Sequence, residues 1–434
     1  MDLALSASYQ DALDFLFART TGKWRLGLDR VSLFLTRIGA PHDGLRCFHV
    51  AGTNGKGSVC ATLEALLRER GLRVGKYTSP HLVDFRERFL IDGDPVDAER
   101  IVDFVRRWTP LVEQLGVTFF EATTAMAFQF FAEARVDVAV IEVGLGGRLD
   151  ATNVVDPLAA GVVSIGIDHV EFLGHTLEEI AAEKAGIFKR GRPAVIGETD
   201  AAIRALLARH ARHAGATPVR VVAEETEIDR VVVDGRGTAF AARPSTREGA
   251  EVELRTPLAG AYQANNTMLA LAMLDAAGAP FAPASLAELR RGLTRIRLPG
   301  RFHRDGKYIF DVAHNPGGAL VLAQTLARVK AEQPVACVLS VLADKDWRGL
   351  MDALAPAVDC FVITTAPTSP ASRAWREEDA VAYAESRGWR AVREHDFHSA
   401  LERAEREGAT VLVTGSFHTV GDAMARLQIN PLGG

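Results

Sequence analysis

One glycine-rich segment has the residue types and spacing to bind phosphate. Residues 50–58 read V-A-G-T-N-G-K-G-S, between an apolar run that begins at Cys47 and a helical stretch predicted from Val59. A strand, a glycine turn and a helix start direct backbone N–H groups and the positive end of a helix dipole at an anion, and Lys56 adds charge. Ser58 comes one place later than the hydroxyl of the usual G-x-x-x-x-G-K-[ST] pattern. The segment predicts a nucleotide phosphate site, and the alternative is a plain turn with a solvated lysine.

Carboxylate and hydroxyl groups follow two other apolar runs. Glu142 ends one run and precedes the glycines of 144–147, and Ser79 follows another in T-S-P-H-L. Open α/β sheets bind ligands at the carboxyl ends of their strands, so both side chains should face the phosphate loop. Because phosphate-bound Mg²⁺ takes one or two protein carboxylates, Glu142 is a predicted metal ligand, unless it only caps the glycine turn. Ser79 can reach a metal or simply form a Ser-Pro turn.

Two further polar groups are more ambiguous. His169 follows Asp168 at the end of a third apolar run, where a lone histidine is more often a hydrogen-bonded structural residue than a ligand, and Mg²⁺ prefers oxygen. Lys184 lies in the helical segment A-A-E-K-A-G-I-F-K, where a solvated lysine is the ordinary expectation. The residues alone leave both a metal role for His169 and a catalytic role for Lys184 open.

A comparable cluster follows a break at Leu298-Pro299-Gly300. A predicted strand ends in Asp311, with His314 behind it and Arg301 before it. A polar cluster separated from the phosphate loop by a Pro-Gly hinge predicts a two-domain site that closes over its substrate. The alternative is that Asn315-Pro316 caps the next helix and Asp311 fixes the turn.

The elements that must position these groups are those of a parallel sheet covered on both faces. From residue 45 to about 200, short and uniformly apolar runs alternate with helical patterns, as in parallel α/β sheets. The predicted strands are Cys47–Val50, Leu72–Tyr77, Val138–Val143, Ala160–Ile167 and Pro193–Gly197, and the predicted helices are Val59–Arg70, Glu121–Ala134, Leu177–Phe188 and Ala201–Ala214.

The rest of the chain predicts an antiparallel excursion and a second α/β unit. Between about 227 and 256, Val alternates with Arg and Asp around an Asp234-Gly235 turn. Helices Tyr262–Ala277 and Ser285–Thr294 follow, and then strands Tyr308–Val312, Ala336–Leu342, Phe361–Thr365 and Thr410–Thr414. We expect an α/β fold with two domains: residues 1–297 with a mostly parallel sheet, and a smaller Rossmann-like domain, 298–434.

Composition narrows the function classes. Charged residues make up 24% of the 434 residues and the formal net charge is -5, so no basic field attracts nucleic acid. No apolar run is long enough to cross a bilayer, and the N-terminus lacks the basic and apolar regions of a signal peptide. The four cysteines form no C-x-x-C pair, which disfavours disulfides and zinc. We expect a cytoplasmic monomer with neither nucleic-acid nor membrane partners.

Seven motifs together resemble the folylpolyglutamate synthetase and dihydrofolate synthetase family of Mur-type ligases. They are G-T-N-G-K-G-S at 52–58, Y-T-S-P-H-L at 77–82, E-V-G-L-G-G-R-L-D-A-T-N at 142–153, D-H at 168–169, E-K-A-G-I-F-K at 183–189, L-P-G-R-F at 298–302 and D-V-A-H-N-P at 311–316. The resemblance covers nearly the whole chain in order and is weakest at about 200–256. It implies an ATP-binding domain of Mur-ligase type followed by a ligase domain.

The resemblance also implies roles for the matching residues. The implied ATP contacts are Thr53, Asn54, Gly55, Lys56, Gly57, Ser58, Asn265, Arg301 and Asp311; the implied Mg²⁺ ligands are Ser79 and Glu142 for one ion and His169 for a second, with Lys184 as a carbamate. Lys56, Lys184 and His314 are the implied catalytic residues, and His314 and Ser416 lie in the implied glutamate region. Carbamate formation needs a neutral amine, whereas a free lysine with a pKa of about 10.4 is charged at neutral pH, so burial or neighbouring cations must assist.

The implied reaction joins L-glutamate to a pteroate or folate carboxyl group in two steps. The γ-phosphoryl group of ATP first moves to the carboxylate and forms an acyl phosphate, while Lys56 and the metal ions offset charge. The glutamate amine then displaces phosphate. Closure of the domains would exclude water and align the amine, and such alignment supplies about 7–11 kcal/mol of a barrier. The implied cofactors are ATP and two Mg²⁺ ions, and a monovalent cation is a further candidate.

Some segments resemble members of the family that also make dihydrofolate from dihydropteroate. The implied pterin or folate contacts are Leu26, Gly27, Leu28, Thr118, Phe119, Phe120, Glu121, Leu149, Asp150 and Ala151, although a phenylalanine pair beside a helix is more often core. Residues 415–420 are also similar to bifunctional bacterial enzymes. We therefore expect both activities, with dihydropteroate or tetrahydrofolate, L-glutamate and ATP as the small-molecule partners.

Three alternatives to an enzyme with both activities remain. One is a folylpolyglutamate synthase without the second activity. Another is a cell-wall Mur ligase acting on a UDP-sugar peptide, which would need an extra domain before the phosphate loop, yet the loop begins at Val50. The third is a phosphate-loop nucleotide switch, which would not need a second domain carrying Arg301, Asp311 and His314.

Overall fold

The computed structural model describes residues 3–20, 27–244 and 250–431. The predicted substrate contact Leu26 lies outside these ranges. No helix within them is both long enough and apolar enough to cross a bilayer.

The first α/β unit is built around an eight-stranded sheet. Its strands are β1 Cys47–Ala51, β2 Val74–Tyr77, β3 Phe89–Ile91, β4 Asp94–Pro95, β5 Val138–Glu142, β6 Ala159–Val162, β7 Ala194–Ile196 and β8 Val219–Val221. The order across the sheet is β4-β3-β2-β5-β1-β6-β7-β8, and the strands from β2 to β8 in that order run parallel, while β3 and β4 add an antiparallel edge. The phosphate loop therefore follows a central strand.

Helices cover both faces of this sheet. They are α1 Leu3–Phe17, α2 Asp29–Arg37, α3 Lys56–Glu69, α4 Ala98–Leu115, α5 Phe119–Ala134, α6 Val170–Leu173, α7 Leu177–Ala185, α8 Ala201–His213, α9 Val222–Glu225, α10 Tyr262–Ala277 and α11 Leu286–Thr294. Alternate residues of β5 point to opposite faces: Val140 joins the apolar cluster of α3 and α10, and Ile141 joins that of α4 and α5. The uniformly apolar strands of the sequence are thus buried on both faces, as predicted.

The segment predicted as an antiparallel excursion forms a separate three-stranded sheet. Its strands are β9 Thr226–Asp234, β10 Gly237–Pro244 and β11 Val252–Thr256, and both pairings are antiparallel. Phe240 and Leu254 are buried in the apolar cluster that contains α10. This small sheet is therefore anchored to the first unit.

The second α/β unit has a six-stranded sheet in the order β12-β13-β17-β14-β15-β16. The strands are β12 His303–Asp305, β13 Tyr308–Phe310, β14 Val335–Leu339, β15 Cys360–Ile363, β16 Ala391–Arg393 and β17 Thr410–Thr414; the helices are α12 Pro316–Val329, α13 Trp347–Leu354, α14 Glu377–Ser386, α15 Phe397–Glu407 and α16 Phe417–Arg426. All pairings are parallel except that of β12. The predicted boundary at 297/298 falls between α11 and β12 and stays a prediction.

Candidate active site

The phosphate loop turns directly into a helix at its lysine. Helix α3 begins at Lys56, earlier than the predicted Val59, because Gly55 takes a left-handed conformation with φ +86° as the residue before the helix. A Cβ atom on Gly55 would lie 2.7 Å from Val163 Cγ1, so the position requires glycine. The Lys56 ammonium donates to the carbonyls of Gly52 at 3.0 Å and Thr53 at 3.2 Å. The loop therefore holds its cation next to the N–H groups of the helix start, where an anion binds.

Hydrogen bonds to the end of β6 fix the shape of this loop. The Thr53 amide donates to Ser164 O at 2.8 Å, and the Thr53 hydroxyl donates to Gly166 O at 3.1 Å and accepts from the Gly166 amide at 3.0 Å. The Asn54 amide donates to the Ser164 hydroxyl at 3.2 Å. A buried hydroxyl, that of Ser58, accepts from Gln263 Nε2 at 3.2 Å. The side chains of Thr53 and Ser58 thus hold the loop together.

Glu142 and Ser79 lie side by side at the carboxyl ends of β5 and β2. Glu142 is 5% exposed, and its Oε2 accepts from the Ser79 amide at 3.1 Å. Burial raises the pKa of Glu142, while Lys56 and the Ser79 amide act in the opposite direction. A buried carboxylate next to a serine residue offers the oxygen donors that Mg²⁺ prefers. Among the residues that the structure describes, no group of three or more His, Cys, Asp or Glu side chains could hold a metal ion.

Lys184 is a buried lysine behind the phosphate loop. It is 4% exposed, and its Nζ donates to Gly52 O at 3.2 Å. Burial, assisted by the charge of Lys56, lowers the pKa of Lys184 to about 7. The ordinary expectation of a solvated lysine is therefore wrong, and a large part of the amine is neutral near pH 7, as carbamate formation requires.

The second unit contributes a polar group of its own. Asp311 follows β13, is 8% exposed and accepts from the amides of Phe302 and Ala313, both at 2.9 Å. Burial raises its pKa, opposed by Arg301, whose guanidinium carbon lies 5.0 Å from the ring centroid of Phe417. His314 Nδ1 lies 3.0 Å from Val312 O. Asp311 thus fixes the turn, as the structural alternative held, and also lines the cleft.

Asp168 joins the two units. Its carboxylate accepts from Lys345 Nζ at 2.6 Å and from Asn315 Nδ2 at 3.3 Å, and its Oδ2 lies 3.4 Å from His314 Nε2. Burial would raise the pKa of Asp168, but His314 and the cationic neighbours hold it well below its ordinary value. The adjoining His169 has a side chain that is 38% exposed in the cleft. Asp168 is therefore a charged contact between the phosphate edge and the second unit.

The predicted acceptor segments form another part of the cleft wall. The carboxylate of Asp150 accepts from the amides of Gly144, Leu145 and Thr152 and from the Thr152 hydroxyl. Thr118 and Glu121 form a capping box at the start of α5, and Arg30 donates to Glu121 at 2.7 Å. These polar atoms are hydrogen-bonded within the protein and stabilise its local structure. Pterin binding by the predicted acceptor segments therefore stays a prediction.

One cleft of about 2120 Å³ contains nearly all of these groups. Its lining includes the predicted ATP, metal and glutamate residues: Thr53, Asn54, Gly55, Lys56, Gly57, Ser58, Ser79, Glu142, His169, Lys184, Asn265, Arg301, Asp311, His314 and Ser416. It also includes Gly27, Thr118, Phe119, Phe120, Glu121, Leu149, Asp150 and Ala151 from the predicted acceptor segments. Leu28 does not line the cleft; it packs against the apolar cluster of α2, α4 and α5.

Two predicted residues have their polar groups occupied by the protein. Asn265 Nδ2 donates to Gly197 O at 2.6 Å. Ser416 is the N-cap of α16, and its hydroxyl accepts from the Thr419 amide at 3.0 Å. Their ligand roles stay predictions.

Sequence reasoning missed Lys345 and Arg88, which both line the cleft. Lys345 lies in A-D-K-D after β14, and the rule that located Glu142, polar residues behind an apolar strand, could have found it. Arg88 precedes a strand and carries no comparable signal.

The arrangement is that of a two-unit, phosphate-loop ligase in which both units supply polar groups to one cleft. In agreement, residues 50–274 match the family model of the Mur ligase middle domain, and residues 296–417 match that of the Mur ligase glutamate ligase domain.

Relatives and solved structures that match over nearly their whole length identify the family within the Mur ligases. The protein named Dihydrofolate synthase/folylpolyglutamate synthase from Bacillus subtilis (strain 168) is 34% identical over 432 residues, covering 97% of this chain and 99% of the relative. A structure of E. coli FolC in complex with DHPP and ADP has a TM-score of 0.84 at 33% identity, with 97% of each chain covered. One from Yersinia pestis, a bifunctional folylpolyglutamate synthase/dihydrofolate synthase complexed with AMPPNP and Mn ion, has a TM-score of 0.84 at 34% identity over 97% of this chain and 98% of that one. The chain belongs to the dihydrofolate synthase/folylpolyglutamate synthase family of Mur ligases.

Proposed function

We propose that this chain uses ATP to join L-glutamate to the carboxyl group of a pteroate or folate through an acyl phosphate. The observation that carries the proposal is the single cleft in which Lys56, Glu142 and Lys184 of the first unit meet Arg301 and His314 of the second. A nucleotide switch needs only the first set, whereas a ligation needs a second substrate beside the triphosphate.

The residues of the chain suit the first step. The N–H groups at the start of α3 and the ammonium of Lys56 would hold the phosphates of ATP and stabilise negative charge on the group in transfer. Glu142 and Ser79 would hold Mg²⁺, which when bound offsets phosphate charge. Arg301, which lies against the ring of Phe417, would add a second cation from the other side of the cleft.

Lys184 would act behind the phosphates. Its burial and its pKa of about 7 support a neutral amine that takes up CO₂, and the resulting carbamate would provide oxygen atoms for a cation. His169 would add a nitrogen ligand from the same edge. The number of Mg²⁺ ions and a monovalent cation stay predictions, as do a monomeric state and a cytoplasmic location.

The second step takes place against the second unit. His314 and Ser416 would orient the incoming glutamate, and closure of the cleft would keep water from the acyl phosphate. The contact of Asp168 with Lys345 and Asn315 supports a closed arrangement of this kind. Phe119 and Phe120 offer aromatic surface for a pterin, which supports both activities, dihydrofolate synthase and folylpolyglutamate synthase.

Product identification tests the proposal. The protein is incubated with ATP, Mg²⁺ and L-glutamate together with dihydropteroate or tetrahydrofolate, and the products are identified by mass spectrometry. We expect a mass increase of one glutamyl residue for each acceptor, with ATP consumption that depends on both acceptor and glutamate. ATP hydrolysis that needs neither would favour the switch, and product from tetrahydrofolate alone would favour the monofunctional enzyme.

A further inference from the structure

Arg88 is a buried cation in the cleft wall that the mechanism above does not use. It ends the short 3-10 turn Phe85–Arg88, directly before β3, and is 6% exposed. Its backbone carbonyl accepts from the Thr78 amide at 3.2 Å, which places it next to Ser79. Arg88 therefore lies between the predicted metal edge and the aromatic residues of the predicted acceptor segment.

The guanidinium has one polar partner in the protein. Its Nε donates to His81 Nδ1 at 2.9 Å, and its central carbon lies 5.2 Å and 5.7 Å from the ring centroids of Phe119 and Phe85. Because an arginine N–H can only donate, His81 Nδ1 is the acceptor of this bond and carries no proton. Among the described residues, no other hydrogen bond or ion pair reaches the guanidinium. Its two terminal amino groups thus have no protein partner there.

The carboxylates nearest to Arg88 are engaged elsewhere. Glu87 accepts from the amides of Leu82, Val83 and Asp84, and Glu142 accepts from the amide of Ser79. Both contribute only longer-range attraction to Arg88. A buried charge without a paired partner is costly, and aromatic faces compensate for only part of that cost. An anion that enters the cleft could therefore pair with the guanidinium of Arg88.

We propose that Arg88 binds the acceptor carboxylate that is to be activated. The proposal rests on the proposed function and names one contact within it. Dihydropteroate ends in a carboxylate on its aromatic body, and tetrahydrofolate carries its carboxylates on a glutamyl group attached to a similar body. The site offers aromatic walls next to a guanidinium. The two terminal amino groups of an arginine match a carboxylate in a bidentate geometry, which lysine does not reproduce. With Nε held by His81, the plane of this fork is fixed toward the cleft.

The test compares acceptor kinetics in Arg88→Gln and Arg88→Lys with the wild type. A matched control is Arg86→Gln, because Arg86 lies in the same turn but pairs with Asp84 outside the cleft. We expect Arg88→Gln to raise the KM for both dihydropteroate and tetrahydrofolate by about 10- to 150-fold, the loss of a charged hydrogen-bond pair. Arg88→Lys should recover part of this loss. ATP affinity, measured by equilibrium titration, and the KM for glutamate should stay unchanged, as should all constants of Arg86→Gln.

Each other outcome overturns the inference. A rise confined to tetrahydrofolate would show that Arg88 binds the spectator carboxylate of its glutamyl group. Unchanged acceptor KM values in both variants would show that the guanidinium only packs, and an equal loss of ATP affinity would show a structural role. A wild-type protein that makes no glutamylated product removes the proposed function and this contact with it, whereas an active wild type with an unaffected Arg88→Gln variant removes the contact alone.

Discussion

Replacing Lys184 by methionine should stabilise the ligand-free protein, and the gain should shrink as the pH rises. The pKa of Lys184 falls from 10.5 in the unfolded chain to about 7 in the fold, first through burial and then through Lys56. Between these values the folded state binds fewer protons than the unfolded state, so this group's destabilising effect is complete below pH 7 and fades toward pH 10.5. Methionine has similar length, carries no charge and removes the effect altogether.

The size of the change follows from the two pKa values. With 1.36 kcal/mol for each pKa unit, Lys184 costs the wild type roughly 4 kcal/mol at pH 7 and roughly 2 kcal/mol at pH 9. The stability difference between Lys184→Met and the wild type should therefore fall by about 2 kcal/mol between these pH values. The bond from Nζ to Gly52 O, at 3.2 Å, lowers the absolute gain but not this pH dependence.

Urea unfolding of both proteins at pH 7, 8 and 9 measures the difference, in buffers free of CO₂ so that the amine is not modified. Lys307→Met, at an exposed lysine, is the control for removing one positive charge. Parallel stability curves for Lys184→Met and the wild type across this range would refute the claim that the fold holds a neutral amine at this position. The carbamate proposal would then lose its physical basis.

Further predictions concern the loop, the carbamate and closure. Lys56→Ala should lower kcat/KM at least about 100-fold, because the lysine stabilises phosphate charge, while thermal unfolding stays unchanged; an active variant would count against the loop assignment. Lys184→Ala should be inactive and regain part of its turnover with a small added carboxylate, and undiminished turnover would contradict the carbamate. Asp168→Asn should loosen the bond to Lys345 and increase the radius of gyration by small-angle X-ray scattering, whereas Asp344→Asn, which breaks an ion pair with Arg373 within the second unit, should not. A non-hydrolysable ATP analogue alone should reduce the wild-type radius more than the acceptor alone; equal effects would contradict nucleotide-led closure.

The sequence was sufficient to predict those site residues that directly follow a recognisable strand. The phosphate loop and Glu142 each follow a uniformly apolar run, and the parallel topology then brings them to one edge. Element ends were less predictable because single residues decide them. Helix α3 begins at Lys56 because Gly55 is left-handed, and α7 ends at Ala185, before Gly186, rather than at Phe188. The hairpin β3–β4 gave no signal, since strands of three and two residues are too short to alternate.

The environment of a side chain was beyond the reach of local pattern. The segment around Lys184 looks like an ordinary amphipathic helix, yet tertiary packing buries the lysine against the loop at Gly52. The burial of Arg88 was equally unpredictable, because it results from packing of the turn before β3 against Phe119, which is distant in the sequence. The capping box at the start of α5 accounts for Thr118 and Glu121 in the sequence without any ligand contact. Motif matching therefore locates the cleft wall but does not separate a ligand contact from a cap.

The link between nucleotide and closure lies in a short stretch of backbone. Thr53 in the phosphate loop is hydrogen-bonded through its amide to Ser164 and through its hydroxyl to Gly166. Asp168 follows two residues later and carries the charged contact to Lys345 of the second unit. We therefore expect phosphate that draws Lys56 away from the carbonyls of Gly52 and Thr53 to shift the segment that contacts the other unit. The same short connection would let ATP binding assemble the glutamate side of the cleft before the acyl phosphate forms, which is the order that protects such an intermediate from water.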